Sequence, residues 1–169
     1  MVNTRRFTLS QEQQVLYEDQ IQQLDQALSR IIREAEAKCA LLVDKDGHLI
    51  TRQGFTHTLD TTALAALLAG SFASTREIAR LVGEPEFSVL FHQGKKDHIH
   101  ISLIDEHAIM VVIFDDRTTI GMIRLYAKET GEALKNILSG TSENKKDELE
   151  LNKDFSASAE AKLDDIFKE

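Results

Sequence analysis

The chain has 169 residues, 42% of them hydrophobic and 28% charged, with a formal net charge of −8 and a single cysteine, Cys39. That length suits one domain of ordinary size with an appendage, and the composition is that of a globular chain. One cysteine excludes an intrachain disulfide framework, the acidic balance argues against a phosphate-neutralising surface for nucleic acid, and no apolar run approaches the ~18 residues of a membrane span.

The opening Met1-Val2-Asn3-Thr4-Arg5-Arg6-Phe7 is basic, but Gln- and Glu-rich sequence follows where a secretory signal needs an apolar core. With the lone thiol, this sets the expectation of a cytoplasmic protein. Tyr17, Ile21, Leu24, Leu28, Ile31 and Ala35 recur at alternating steps of four and three. That is one helical face, and it predicts a long amphipathic helix from roughly Ser10 to Ala37. Residues 39–43 form an apolar run, Asp44-Lys45-Asp46-Gly47 has turn chemistry, and 48–53 return as a second strand. Asp60-Thr61-Thr62 supplies capping oxygens for a second helix to about Val82, which Gly83 and Pro85 terminate.

Three strands are predicted next, over 87–92, 98–104 and 108–114. In the second of them Ile99, Ile101 and Leu103 alternate with His98, His100 and Ser102, so one face is expected to be buried and the other wet or partnered. The third is apolar at every position and belongs at the centre of a sheet. Thr118 is the expected cap of a third helix ending near Leu138, with Gly140 just beyond. The order helix, two strands, helix, three strands, helix predicts an α/β fold. It is a three-layer sandwich around one five-stranded, mostly antiparallel sheet.

The composition shifts at Thr141. Residues 141–169 hold nine acids and five bases, a net of −4, and set apart an acidic flexible tail from a domain over 1–140. Residues 1–19 form an N-terminal extension with no role assigned. Within 159–169, Leu163, Ile166 and Phe167 share one helical face. A helix that short is marginal alone in water and needs a groove to fold against.

Residue sets for catalysis are absent. A P-loop ending at Gly94-Lys95 would need glycine where Val89 stands and Ser or Thr where Lys96 stands. Asp44-Lys45-Asp46-Gly47 lacks the remaining ligands of a calcium loop, so it reads as a hairpin turn. His98 and His100, with His92 on the neighbouring strand, have no third ligand fixed by spacing, so no metal site is expected. Asp105-Glu106 and Asp115-Asp116 read as solvated strand ends, and Cys39, opening an apolar strand, as a buried inert thiol. No cofactor is implied.

The second helix is the most informative segment. Leu64, Leu67, Leu68, Ile78 and Leu81 offer bulk for a core face. A second stripe, Ala63, Ala66, Gly70, Ala73 and Glu77, is small enough to let another backbone approach, whether a partner's or this chain's own. Phe72, Arg76 and Arg80 flank it.

Taken in order, Leu42-Val43-Asp44-Lys45-Asp46-Gly47, Leu59-Asp60-Thr61-Thr62-Ala63-Leu64-Ala65, Ala69-Gly70, Leu81-Val82-Gly83-Glu84 with Glu86-Phe87, and Phe91-His92-Gln93-Gly94 form a recognisable series. It closes on Val111-Val112-Ile113-Phe114-Asp115-Asp116-Arg117-Thr118-Thr119-Ile120-Gly121. Over roughly 35–138 the chain resembles the Roadblock/dynein-light-chain superfamily, and within it the bacterial MglB type that regulates the Ras-like GTPase MglA in cell polarity and motility. The tail resembles the MglB C-terminus.

The resemblance implies a homodimer with second helices side by side and edge strands paired, here the strand bearing Phe87, Val89 and Phe91. It implies that the helical surface carrying Ala66, Gly70, Ala73, Arg76, Glu77 and Arg80 binds one small Ras-like GTPase per dimer. GTP hydrolysis is then stimulated by positioning the GTPase's own catalytic residues, so this chain is expected to be a regulator and not an enzyme. Leu163, Ile166 and Phe167 would dock the tail on a second GTPase surface and promote nucleotide exchange. The localisation implied is cytoplasmic, with room for concentration at a cell pole. The alternative is a homodimeric scaffold or adaptor without effect on hydrolysis. A small-molecule sensor domain is a third reading, which the densely apolar central strand disfavours.

Overall fold

The computed structural model describes residues 7–8, 15–16 and 18–140. Helix α1, Glu18–Ala35, buries Leu24, Leu28, Ile31 and Ala35, the expected stripe. Glu18 and Asp19 in its first turn and Arg33 in its last suit the helix dipole. It starts later than the sequence predicts. Val15–Leu16 (β2) instead pairs antiparallel with Phe7–Thr8 (β1), and Leu16 is fully buried in the core. Burial of Leu16 in the core holds β2 against the body.

Five strands form the main sheet: β3 Cys39–Asp44, β4 Leu49–Gly54, β5 Val89–Gln93, β6 His98–Asp105 and β7 Ala108–Phe114. Their spatial order is β4-β3-β7-β6-β5, antiparallel throughout. Every residue of β3 and β7 is buried, as continuous apolar runs require when both faces are covered. Strand β5 starts two residues later than expected, so Phe87 lies before it. Gly54 ends β4 at φ +86°, and a Cβ there would lie 2.5 Å from the Lys38 carbonyl oxygen. Only glycine fits that close approach.

Helix α2, Thr61–Val82, lies on one face of the sheet. Leu41, Val43, Ile101, Ile109 and Val111 pack there against Ala65, Leu68, Ala69 and Phe72. Asp60 is its N-cap, its Oδ1 accepting from the Ala63 N–H at 3.0 Å, and Gly83 closes it at φ +79° in the left-handed region. Both caps match the sequence expectation. On the opposite face Leu42, Met110, Val112 and Phe114 meet α1 and a third helix, α3, over 120–140, through Ile123, Ala127, Leu134 and Leu138. Thr119, not Thr118, caps α3, its Oγ1 accepting from Met122 N–H at 3.3 Å. Gly140 falls within the helix. The alternating faces of β3, β7 and β6 thus make the three-layer α/β sandwich expected from the sequence.

Candidate docking surface

At 1.5 Å per residue, the 22 residues of α2 make a rod about 33 Å long. Its buried side is Thr61, Ala65, Leu68, Ala69, Phe72, Thr75 and Ala79. Leu67, Ile78 and Leu81 do not join the core as the sequence suggested. Leu67 is 70% and Leu81 78% exposed, and Ile78 and Val82 are also open. The helix meets the sheet through Ala65, Leu68, Ala69 and Phe72, which leaves the leucine stripe facing outward. With Ser71 and Ser74 that stripe runs 67, 71, 74, 78, 81, alternating four and three, which is the spacing of a helix-pairing seam.

The small stripe is exposed as well: Ala63, Ala66, Gly70, Ala73 and Glu77 all face out. Ala66 is partly claimed by the chain itself, since a Cβ on Gly47 of the β3–β4 turn would come 2.8 Å from its Cα. Gly70 is different, for a Cβ there would meet nothing within 4 Å. Glycine in a helix interior costs about 1 kcal/mol relative to alanine, and no intrachain approach offsets it here. Ala73 and Arg76 line a depression of about 130 Å³ that Lys45 and Glu106 border from the strand-connecting turns. Arg80 donates to Glu77 Oε2 at 2.9 Å, an exposed pair of little energetic weight.

Strand β5 is at the end of the sheet order, pairing with β6 on one side. Val89, Phe91 and Gln93 stand opposite Ser102, His100 and His98, and Val89 is largely exposed. An edge of this kind is a template for another strand.

The histidines are not on a wet face. His100 is 2% exposed, covered by α3. Burial, reinforced by the Arg124 charge, pushes its pKa down from 6.5 to about 4. His98 lies against Phe91 and Phe114 with ring centroids 6.1 and 5.3 Å away. His92 pairs with Ile99 and so belongs to the other face. Among the described residues no three His, Cys, Asp or Glu side chains gather to hold a metal ion. Cys39 is fully buried and its thiol is pushed up to about 11, chiefly by desolvation. Asp44 is turn structure, its buried Oδ1 accepting from the Asp46 and His48 N–H groups. Asp115 is held below the usual carboxylate range, first by the hydrogen bond from Arg117.

A family model for the Roadblock/LC7 domain matches residues 23–114. Myxococcus xanthus MglB is 38% identical, covering 75% of this chain and 96% of that one with a TM-score of 0.71. The chain belongs to the Roadblock/LC7 family. The gliding protein MglB from Thermus thermophilus is 30% identical, covering 74% of this chain and 95% of its own with a TM-score of 0.70. An MglB in a tetrameric arrangement is 29% identical, covering 75% and 95% with a TM-score of 0.71. No curated protein sequence matches at a significant level.

The Roadblock sheet and its α2 therefore bring together residues that were separate in the sequence. Ala66, Gly70, Ala73, Arg76, Glu77 and Arg80 share the exposed part of one helix, and Val89 and Phe91 lie on the edge strand. Phe87 stays off the strand, and Leu163, Ile166 and Phe167 lie outside the described residues. Sequence reasoning missed the exposure of Leu67, Ile78 and Leu81. The available signal was that, with Ser71 and Ser74, they complete a second stripe at alternating steps of four and three beside the one through Leu68 and Phe72. Among the described residues no helix is long and apolar enough to cross a membrane.

Proposed function

We propose that this Roadblock chain is a homodimeric regulator of a small Ras-like GTPase of the MglA type, raising GTP hydrolysis without a catalytic group of its own. The observation that carries the reading is the likeness to MglB chains over 95–96% of their length. The end strand β5 and the apolar seam of α2 support it, since both are surfaces a second copy can use in a twofold contact. Leu67, Ile78 and Leu81 pair with their twins, and β5 joins β5 of the second copy. The small stripe with the Ala73–Arg76 depression then receives the GTPase, one per dimer, its switch segment held in a productive geometry. A tail contact through Leu163, Ile166 and Phe167 that promotes nucleotide exchange belongs to the same proposal, as does a cytoplasmic location concentrated at a cell pole.

The test is GTP turnover by a cognate MglA-type GTPase with and without this chain. The expected result is a rate that rises and saturates with added chain. Binding with an unchanged rate would replace this reading by that of a Roadblock adaptor.

A further inference from the structure

Between α3 and the β5–β6 end of the sheet lies a cavity of about 550 Å³. Its floor and walls are apolar at Val89, Ile104 and Ala127, and its rim on α3 carries Arg124, Lys128 and Lys135 with one acid, Glu132. Two of its lining side chains have buried polar atoms without a hydrogen-bond partner, His100 Nδ1 and Ser102 Oγ. Buried polar groups are nearly always paired, and His100 is 98% buried, its exposure being 2%. The site is thus an apolar trough with hydrogen-bonding capacity at its base and positive charge at its lip. It fits an acidic amphipathic peptide.

We propose that this trough seats the chain's own C-terminal segment, residues 159–169. The apolar side chains Leu163, Ile166 and Phe167 enter the trough, and Asp164 and Asp165 meet Arg124, Lys128 and Lys135. The segment holds four acids and two bases, opposite in sign to the rim. The chain path permits the return. Helix α3, which forms the trough's wall, runs through residue 140, about 7 Å beyond Lys135 and about 24 Å beyond Arg124. Eighteen residues, 141–158, intervene, and a chain of that length reaches about 23 Å by random-coil statistics, enough to bridge the gap. Tethering holds the segment near the trough at millimolar effective concentration, so a weak individual affinity suffices. The seat is a property of this chain alone and does not rest on the GTPase reading. Where a GTPase also claims Leu163, Ile166 and Phe167, seating and release become competing states of one segment.

The experiment uses the full chain with Lys168→Cys carrying a nitroxide, since buried Cys39 resists labelling. Amide signals of Leu103, Ala127 and Gly131 are followed by NMR. Expected is loss of intensity confined to the trough, abolished by Arg124→Glu with Lys128→Glu and restored on adding Asp164→Lys with Asp165→Lys. Both rim residues are exposed, so the charge reversal leaves the fold in place. Unbroadened trough signals, or broadening indifferent to the charge reversal, overturn the proposal. So does broadening seen only between nitroxide-bearing and isotope-labelled chains in a mixture, which assigns the trough to a second copy.

Discussion

If the proposed function holds, replacing Ala73 with glutamate is expected to weaken GTPase binding by about a hundredfold or more and to abolish stimulation of hydrolysis, while the chain itself remains folded. Ala73 is exposed, so the substitution removes no packing from the core. It sits where the proposed partner's backbone must come closest, at the depression shared with Arg76 and Glu106. A carboxylate there, even with Arg76 and Lys45 nearby, has to be desolvated under the partner or to hold the surfaces apart, and either costs several kcal/mol. Isothermal titration against the GTPase in its triphosphate state reads the loss, and circular dichroism checks the fold. The arginines give the contrast. An inserted arginine finger is worth about 10³–10⁵ in rate, whereas Arg76→Ala, Arg80→Ala or Arg117→Ala each leave the stimulated rate within about tenfold. Complete loss with Arg76→Ala at unchanged affinity would mean that this chain supplies the catalytic charge.

The second large effect is on stability. His100 carries a pKa of about 4 in the folded chain against an ordinary 6.5, the cause being burial and then Arg124. The unfolded chain therefore binds this proton first as pH falls. Stability from His100 is whole above pH 6.5 and is lost on descending to about 4, by about 3 kcal/mol. His100→Gln, polar but neutral throughout, removes that loss. Urea unfolding at pH 7 and pH 4.5 in both proteins isolates it, because the carboxylates that also titrate there are common to the two. Equal acid sensitivity in both would show that His100 takes up its proton without unfolding.

Most of the fold was legible because its signals are local. The Asp60 cap, the Gly83 terminator and the apolar runs of β3 and β7 each carry their own physical cause, and each lies where the sequence placed it. The misreadings are tertiary. Helix α2 has apolar residues on two faces, and periodicity does not say which of Leu68 or Leu67 meets the sheet. The packing of Ala65, Leu68, Ala69 and Phe72 against Leu41, Val43, Ile101, Ile109 and Val111 decides it. Likewise His98, His100 and Ser102 look like a solvated face until α3 is laid beside His100 and Ser102, and Phe91 and Phe114 against His98. The start of α1 differs because Leu16 pairs in β2 and is buried in the core, a long-range contact that local periodicity does not register. The candidate surface was legible as a stripe of small residues, but not its border of exposed leucines nor the turns that frame the Ala73 depression.

Analytical ultracentrifugation of the chain mixed with its GTPase, locked by a non-hydrolysable GTP analogue, tests the central claim most directly. The expected boundary has twice 19.0 kDa plus one GTPase, and the chain alone sediments as a pair at micromolar concentration. A boundary at the mass of one unaccompanied chain, unmoved by the loaded GTPase, would contradict it.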